Sequence, residues 1–219
     1  SGNLTLSWGS NEPRESKNLL FYSPFDGKIP ETRPPVGVML ENELMSRPWQ
    51  KGLGAAEIVY EAPTESGITR FLALFRPDIL PEKFGPIRSA RSYFLDWAHE
   101  YDSLFVHVGG NPDVLARLQK ESVFNVDQFV FDKYFWRENV GKTALEHTMF
   151  GSGESMLALI QEQGWMRVFR GQKPKEPIFP KRAWDDLPEA SHLALHFSTI
   201  STYRVNYDYD SSSESYLRS

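Results

Sequence analysis

The sequence predicts an α/β or α+β fold: a layered mixed sheet flanked by helices, followed by a truncated β-rich second domain. Three observations predict it. Short runs of Val, Ile, Leu and Phe, bounded by Gly, Pro or charge, have the length of strands. Between them lie segments whose apolar residues recur at i, i+3 and i+4, the spacing of one helix face. After a Pro- and Lys-rich stretch the pattern changes to strict alternation, which is that of a half-buried strand.

In chain order, residues 1–35 read as a leader, rich in Gly, Ser, Asn and Pro, with a turn at Pro24-Phe25-Asp26-Gly27. Ser1-Gly2 looks like the remnant of a cleaved tag, so the absence of a signal from this chain carries no information about the natural start. The main domain is expected over 36–168. Its strands are Val36 to Leu40, Glu57 to Glu61, Ile68 to Phe75 and Leu104 to Val108. A helix is predicted from Ala90 to Tyr101, capped by Ser89, because residues 90, 93, 94, 97, 98 and 101 are apolar. A second runs from Pro112 to about Lys120, with Asn111 as cap and Pro112 in the first turn. A third, Ser155 to Gln163, stops at Gly164. Residues 169–190 form the linker, with Pro174, Pro177 and Pro180 at three-residue spacing. Residues 191–219 begin an incomplete β-rich domain, in which Thr202 to Tyr209 alternates as a strand with no evident partner after it.

Composition narrows the chemistry. The 219 residues include no cysteine, so the chain as given holds no disulfide, thiol nucleophile or Cys-ligated metal. A net charge of -5 disfavours a globally basic nucleic-acid binder, and no nucleic-acid partner is expected. The sequence lacks HExxH, Walker, GxGxxG and GxSxG motifs, which removes the usual support for metalloprotease, P-loop, dinucleotide and hydrolase-elbow readings.

The most informative run is Gly85-Pro86-Ile87-Arg88-Ser89-Ala90-Arg91, which joins the third strand to the first helix. Two arginines flank a helix N-terminus, where the dipole opposes positive charge, and a local rule broken this way marks a candidate site for phosphate or carboxylate. From Glu41 to Glu65 there are five Glu against Arg47 and Lys51, while from Ile68 to Phe94 five Arg or Lys oppose Asp78 and Glu82. In adjacent strands these would line one cleft, with Glu61, Glu65, Arg70, Arg88 and Arg91 as its members and Glu41-Asn42, just after the first strand, beside them. His107, before the Gly109-Gly110 turn, and His147, with Arg137 on the same face, complete the candidate ligand-binding set. The competing expectation is that the arginines pair with nearby carboxylates and serve structure alone.

Several separated motifs resemble a known family. Arg33-Pro34-Pro35-Val36-Gly37-Val38-Met39-Leu40-Glu41-Asn42 resembles the opening of the bacterial YerB-like lipoprotein family. Arg47-Pro48, Ala56 to Glu61, Gly67 to Phe71, Gly85 to Arg91 and His107 to Gly110 follow in that family's order, so the match covers about residues 24 to 160. The resemblance implies an extracytoplasmic bacterial protein, lipid-anchored to the membrane through a Cys upstream of this chain, and it supplies no reaction. The order of Ile87-Arg88 and then Gly109-Gly110-Asn111-Pro112 opening a helix is similar to the LytR-CpsA-Psr cell-wall phosphotransferases, which hold a polyprenyl pyrophosphate with arginines and magnesium. On that likeness Arg88 matches the arginine of their Pro-Arg-Asp turn, although Ser89 follows it here and Thr69-Arg70 stands where their other acidic residue lies. A Mg²⁺ ion would have Glu61, Glu65 or Asp96 as carboxylates.

The expected function is binding of a phosphorylated or polyanionic cell-envelope ligand through an arginine-lined cleft, with phosphoryl transfer the reaction class if the protein is an enzyme. Two alternatives stand beside it. One is a non-catalytic protein-interaction module docking through Tyr134 to Trp136 or the β-rich end. The other is a glycoside hydrolase with paired Glu residues.

Overall fold

The computed structural model describes residues 32–139, 141, 144–166 and 190–219. The expected turn at Pro24 to Gly27 and the Pro-rich stretch Gly171 to Arg182 lie outside them.

Five strands form the central sheet: β1 (Val36–Glu41), β2 (Ile58–Pro63), β3 (Thr69–Phe75), β4 (Leu104–His107) and β5 (Phe124–Asp127), in the order β2-β3-β1-β4-β5. β3 is antiparallel to both β1 and β2, whereas β4 runs parallel to β1 and β5 parallel to β4. The sheet is therefore mixed, and the carboxyl ends of β1, β4 and β5 share one edge with the start of β3.

Both faces of the sheet are covered, which is why β1 and β3 read as unbroken apolar runs. Val36, Val38 and Leu40 point to one core with Phe84, Met156, Leu159 and Ile160; Met39, Leu72, Leu74 and Phe105 point to the other with Phe94, Leu95, Val114 and Leu118. Helices α1 (Ser92–Glu100) and α2 (Pro112–Leu118) thus cover one face and α3 (Gly153–Gln163) the other.

The second helix is capped as its sequence predicts, Asn111 Oδ1 accepting from Val114 N at 3.3 Å, and α3 ends at Gly164 in the left-handed region. The first helix corrects the expectation. It starts at Ser92 with Arg91 as an uncapped N-cap residue, because the backbone of 88–90 is already engaged elsewhere: Arg88 N donates to Met39 O at 2.9 Å and Ala90 N to Gly109 O at 2.9 Å. Tertiary bonding here outweighs helix propensity. A short hairpin, β6 (Phe135–Arg137) with β7 (Met149–Gly151), lies beside the sheet. Of the aromatic run expected to dock a partner, Tyr134 and Phe135 are buried and only Trp136 reaches the surface.

The alternating segment near the end is also corrected: it does have partners. β9 (Arg204–Asp210) pairs with β8 (His192–His196) on one side and β10 (Ser215–Arg218) on the other. This sheet meets the first through Arg218 Nη2, which donates to Glu61 Oε2 at 2.8 Å, and through Arg47, which donates to Thr202 O at 2.9 Å and lies over the Tyr203 ring.

Candidate functional site

The site is built where β1 ends. Glu41 is the last residue of an otherwise apolar strand and is paired in register with Arg70 at the start of β3. Its side chain is 1% exposed. Oε1 accepts from the backbone N–H groups of Asn42 at 3.1 Å and Glu43 at 3.0 Å, while Oε2 lies 2.6 Å from Arg88 Nε and 3.0 Å from His147 Nδ1. The Arg88 approach is an ion pair rather than an aligned hydrogen bond, since Nε has no hydrogen-bond acceptor. Arg70, 4% exposed, donates from Nη1 to Ser89 O at 2.8 Å, and its Nε is buried without a partner. Burial pushes the Arg70 guanidinium down to about 10; Glu41 opposes that, and Arg91 and Arg88 add to it. The buried Glu41 carboxylate is thus a shared counter-charge of Arg88 and Arg70, with Glu146 beside Arg88 and Glu65 acting on Arg70.

Arg88 is delivered by a strap, residues 85–90, held on three sides. Gly85 exchanges two backbone bonds with Lys51, Pro86 O accepts from Glu41 N at 3.0 Å, Ile87 N donates to Met149 O at 2.7 Å, and Arg88 O accepts from Val108 N at 3.1 Å. Outside the strap opens a cleft of about 520 Å³, lined by Arg88, Arg137, Asp127, Glu146, the Gly109-Gly110 turn and an apolar wall that includes Val108, Phe129 and Leu145. Asp127 Oδ1 fixes the glycine turn by accepting from Gly109 N at 3.0 Å and Phe129 N at 3.2 Å. Arg137 Nη1 donates to Thr148 Oγ1 at 3.1 Å and to Leu145 O at 2.5 Å. Glu146, 62% exposed, holds its Oε1 3.6 Å from Arg88 Nη2 and 3.9 Å from His147 Nε2, too far for a hydrogen bond to either.

Arg88, Arg70 and His147 are therefore gathered around Glu41, and of these only Arg88 lines the cleft, together with Arg137 and with Glu146 at the mouth. The other sequence candidates lie elsewhere. His107 is fully buried under the turn, Nδ1 against Gly109 O at 2.8 Å and Nε2 against the Asn125 amide at 2.7 Å, and does not line the cleft. Asn42 and Glu61 face the junction with the second sheet: Asn42 Nδ2 donates to Thr69 Oγ1 at 2.6 Å and to Glu61 Oε1 at 3.2 Å, and Glu61 also holds Arg218. Arg91 makes a two-bond fork with Glu65, at 2.7 and 2.6 Å. Asp96 is held by Arg117 at 2.5 Å. Among the described residues no group of three or more His, Asp or Glu is placed to hold a metal ion.

The hydrogen bonds from Arg91 hold the Glu65 carboxyl at about 2. That is below the roughly 4.3 of an unfolded Glu, so the pair contributes stability above about pH 4 that is lost as pH falls toward 2. Because Glu65 is 63% exposed, the contribution is expected to be under about 1 kcal/mol. Glu65→Gln should flatten the pH 2–4.5 limb of a urea-denaturation series by that amount and leave neutral-pH ligand binding unchanged.

Glu146 and Asp127 are the residues that sequence reasoning did not place, whereas Glu41 was placed beside Asn42 at the end of the first strand without its partners. Glu41 carried one signal, a charge closing a buried strand; Glu146 carried only its position next to His147.

The family model described as "Protein of unknown function (DUF3048) N-terminal domain" matches residues 24–166. Among curated proteins, "Putative lipoprotein YerB" of Bacillus subtilis (strain 168) is 34% identical over 194 residues, covering 88% of this chain and 56% of the relative. The crystal structure of the YerB protein from Bacillus subtilis matches with a TM-score of 0.70 at 30% identity, over 91% of this chain and 66% of that one. The chain thus spans a little over half the length of the curated relative it matches. With the strap, the glycine turn and the central sheet all inside the matched segment, the chain belongs to the DUF3048 N-terminal-domain family, the YerB-like proteins.

Proposed function

We propose that this is the extracytoplasmic part of a lipid-anchored bacterial protein, and that its cleft binds a phosphorylated amphipathic ligand of the cell envelope. The location follows the relative named as a lipoprotein. The observation that carries the ligand class is the pairing of Arg88 and Arg137 with an apolar wall in one cleft, backed by a buried cluster in which two guanidiniums share one carboxylate. Guanidinium forks suit phosphate oxygens, and Val108, Leu145 and the 71% exposed Phe129 suit a hydrocarbon tail. Arg88 Nη1 donates to the Glu146 backbone O at 2.9 Å, while the Glu146 carboxylate, 3.6 Å from Nη2, is the group that a ligand phosphate would displace.

The test is a thermal-shift titration with geranyl pyrophosphate, with and without Mg²⁺, comparing wild type with Arg88→Ala combined with Arg137→Ala. Ligand at about 100 times Kd adds about 2.7 kcal/mol, on the order of 5 to 10 °C for a domain of this size. The expected result is a shift of that size in the wild type and none in the folded double variant. A second reading rests on the ion pairs themselves: Arg88 already holds Glu41 and Arg91 holds Glu65, as in a purely structural network. No shift in the wild type would favour that reading and a protein partner seated on the exposed Phe129, Val130 and Leu145.

A further inference from the structure

We infer that Glu41 and His147 form a carboxylate–histidine dyad, and that His147 Nε2 is a general base acting on a phosphate ester held by Arg88; this rests on the cleft reading above. Glu41 is surrounded by donors on both oxygens, so it only accepts, and the ring nitrogen 3.0 Å away, His147 Nδ1, must carry the proton. In the neutral ring the lone pair then sits on Nε2, the nitrogen on the side of the Glu146 carboxylate. A buried carboxylate that fixes the tautomer and the direction of an imidazole is the arrangement that general-base histidines require.

What Nε2 faces gives the dyad its object. Glu146 Oε1 lies 3.9 Å from it and 3.6 Å from Arg88 Nη2, so a single oxygen position is shared by a guanidinium and a free imidazole nitrogen. The carboxylate occupying it is exposed and makes no hydrogen bond to either. A phosphoryl oxygen in its place would be held by Arg88, with the attacking hydroxyl against Nε2. The charged groups around the imidazole are Glu41 and Glu146, with Arg88 between them and Arg70 behind Glu41. Sequence separation hides the pair, since the partners are 106 residues apart.

With water as acceptor and geranyl pyrophosphate as probe, the step balances. Water oxygen bonds to the terminal phosphorus while its proton passes to Nε2. The bond from that phosphorus to the bridging oxygen breaks, and its electron pair leaves with geranyl monophosphate. The imidazolium then returns the proton to this leaving phosphate, and inorganic phosphate is the other product.

The experiment follows phosphate release by ³¹P NMR and geranyl pyrophosphate binding by thermal shift on the same samples of wild type, His147→Gln and His147→Ala. Glutamine keeps a donor for Glu41, so the fold is retained and far-UV circular dichroism checks it. The expected result is a loss of about 10² to 10⁴ in rate for His147→Gln with the thermal shift intact. The wild-type rate should rise with pH along a limb that His147→Gln lacks, and added imidazole should restore turnover to His147→Ala. A purely structural histidine gives neither signature. Binding without phosphate release by the wild type, or wild-type rates in His147→Gln, overturns the dyad while leaving the binding site standing. Absence of any thermal shift overturns the cleft reading first and the dyad with it.

Discussion

Glu41→Ala is expected to cost about 3–5 kcal/mol of folding stability, the range for removing one partner of a buried ion pair. In a chain of this size that is a fall in Tm of about 10 °C. The carboxylate is 1% exposed and is the counter-charge for Arg88 and for Arg70 across the β1–β3 ladder. Without it, two guanidiniums stand in a poorly hydrated site where Arg70 is already pushed down to about 10, and the N–H groups of Asn42 and Glu43 lose their acceptor. Arg88→Ala should cost less. Arg88 is 17% exposed, and its loss leaves Glu41 with His147, two backbone donors and Arg70. The double variant should therefore lie well short of the sum of the singles, as groups in one charge network do. Urea denaturation of the three variants measures this. A cost under about 1 kcal/mol for Glu41→Ala would mean that water replaces the cluster's contacts and that Glu41 is not the hub.

The parts of the fold that were legible are those whose residues face apolar surroundings on both sides or carry their own caps. Strands β1 and β3 announce themselves because both faces are buried, and α2 and α3 because Asn111 and Gly164 mark an end. Strand β5, Phe124-Asn125-Val126-Asp127, was invisible: four residues of which two are polar, one holding His107 and the other the Gly109 turn. β8 is exposed along its whole length and β6 and β7 have three residues each, so no hydrophobic period betrays them. The site follows the same division. The strap was legible because Gly-Pro followed by two arginines between a strand and a helix breaks local rules. The fork of Arg91 on Glu65 lies within the network that charge contrast predicts, but the pairing of Glu41 with Arg88 and His147 was not legible, because the bonds linking 41, 88 and 147 span the chain and leave no local pattern.

Gly85→Ala is expected to damage fold and site together, at a cost of about 3 kcal/mol from overpacking and an unsuitable backbone angle. Gly85 has a φ of +144°, a conformation that residues with a Cβ rarely adopt, and an added Cβ would lie 2.6 Å from Phe150 Cδ1 and 2.8 Å from Met149 O. Neither neighbour can give way. The Phe150 side chain is 1% exposed, and Met149 O already accepts from Ile87 N. The strap itself must shift, and with it the backbone bonds that seat it on Lys51, Glu41, Met39, Met149, Val108 and Gly109. Arg88 lies three residues along this strap, so a displacement of about 1 Å would part it from Glu41 and uncouple the buried charge from the cleft. The prediction is a lowered midpoint in urea and loss of the geranyl pyrophosphate shift even at temperatures where the variant is fully folded. Gly54→Ala is the control, because no atom lies within 4 Å of its Cβ position, and its effect should stay within about 0.5 kcal/mol. If Gly85→Ala lowers stability yet leaves ligand binding intact, Arg88 is positioned by its side-chain contacts with Glu41 and the Glu146 carbonyl; if both fail together, the glycine sets the strap that aims the arginine.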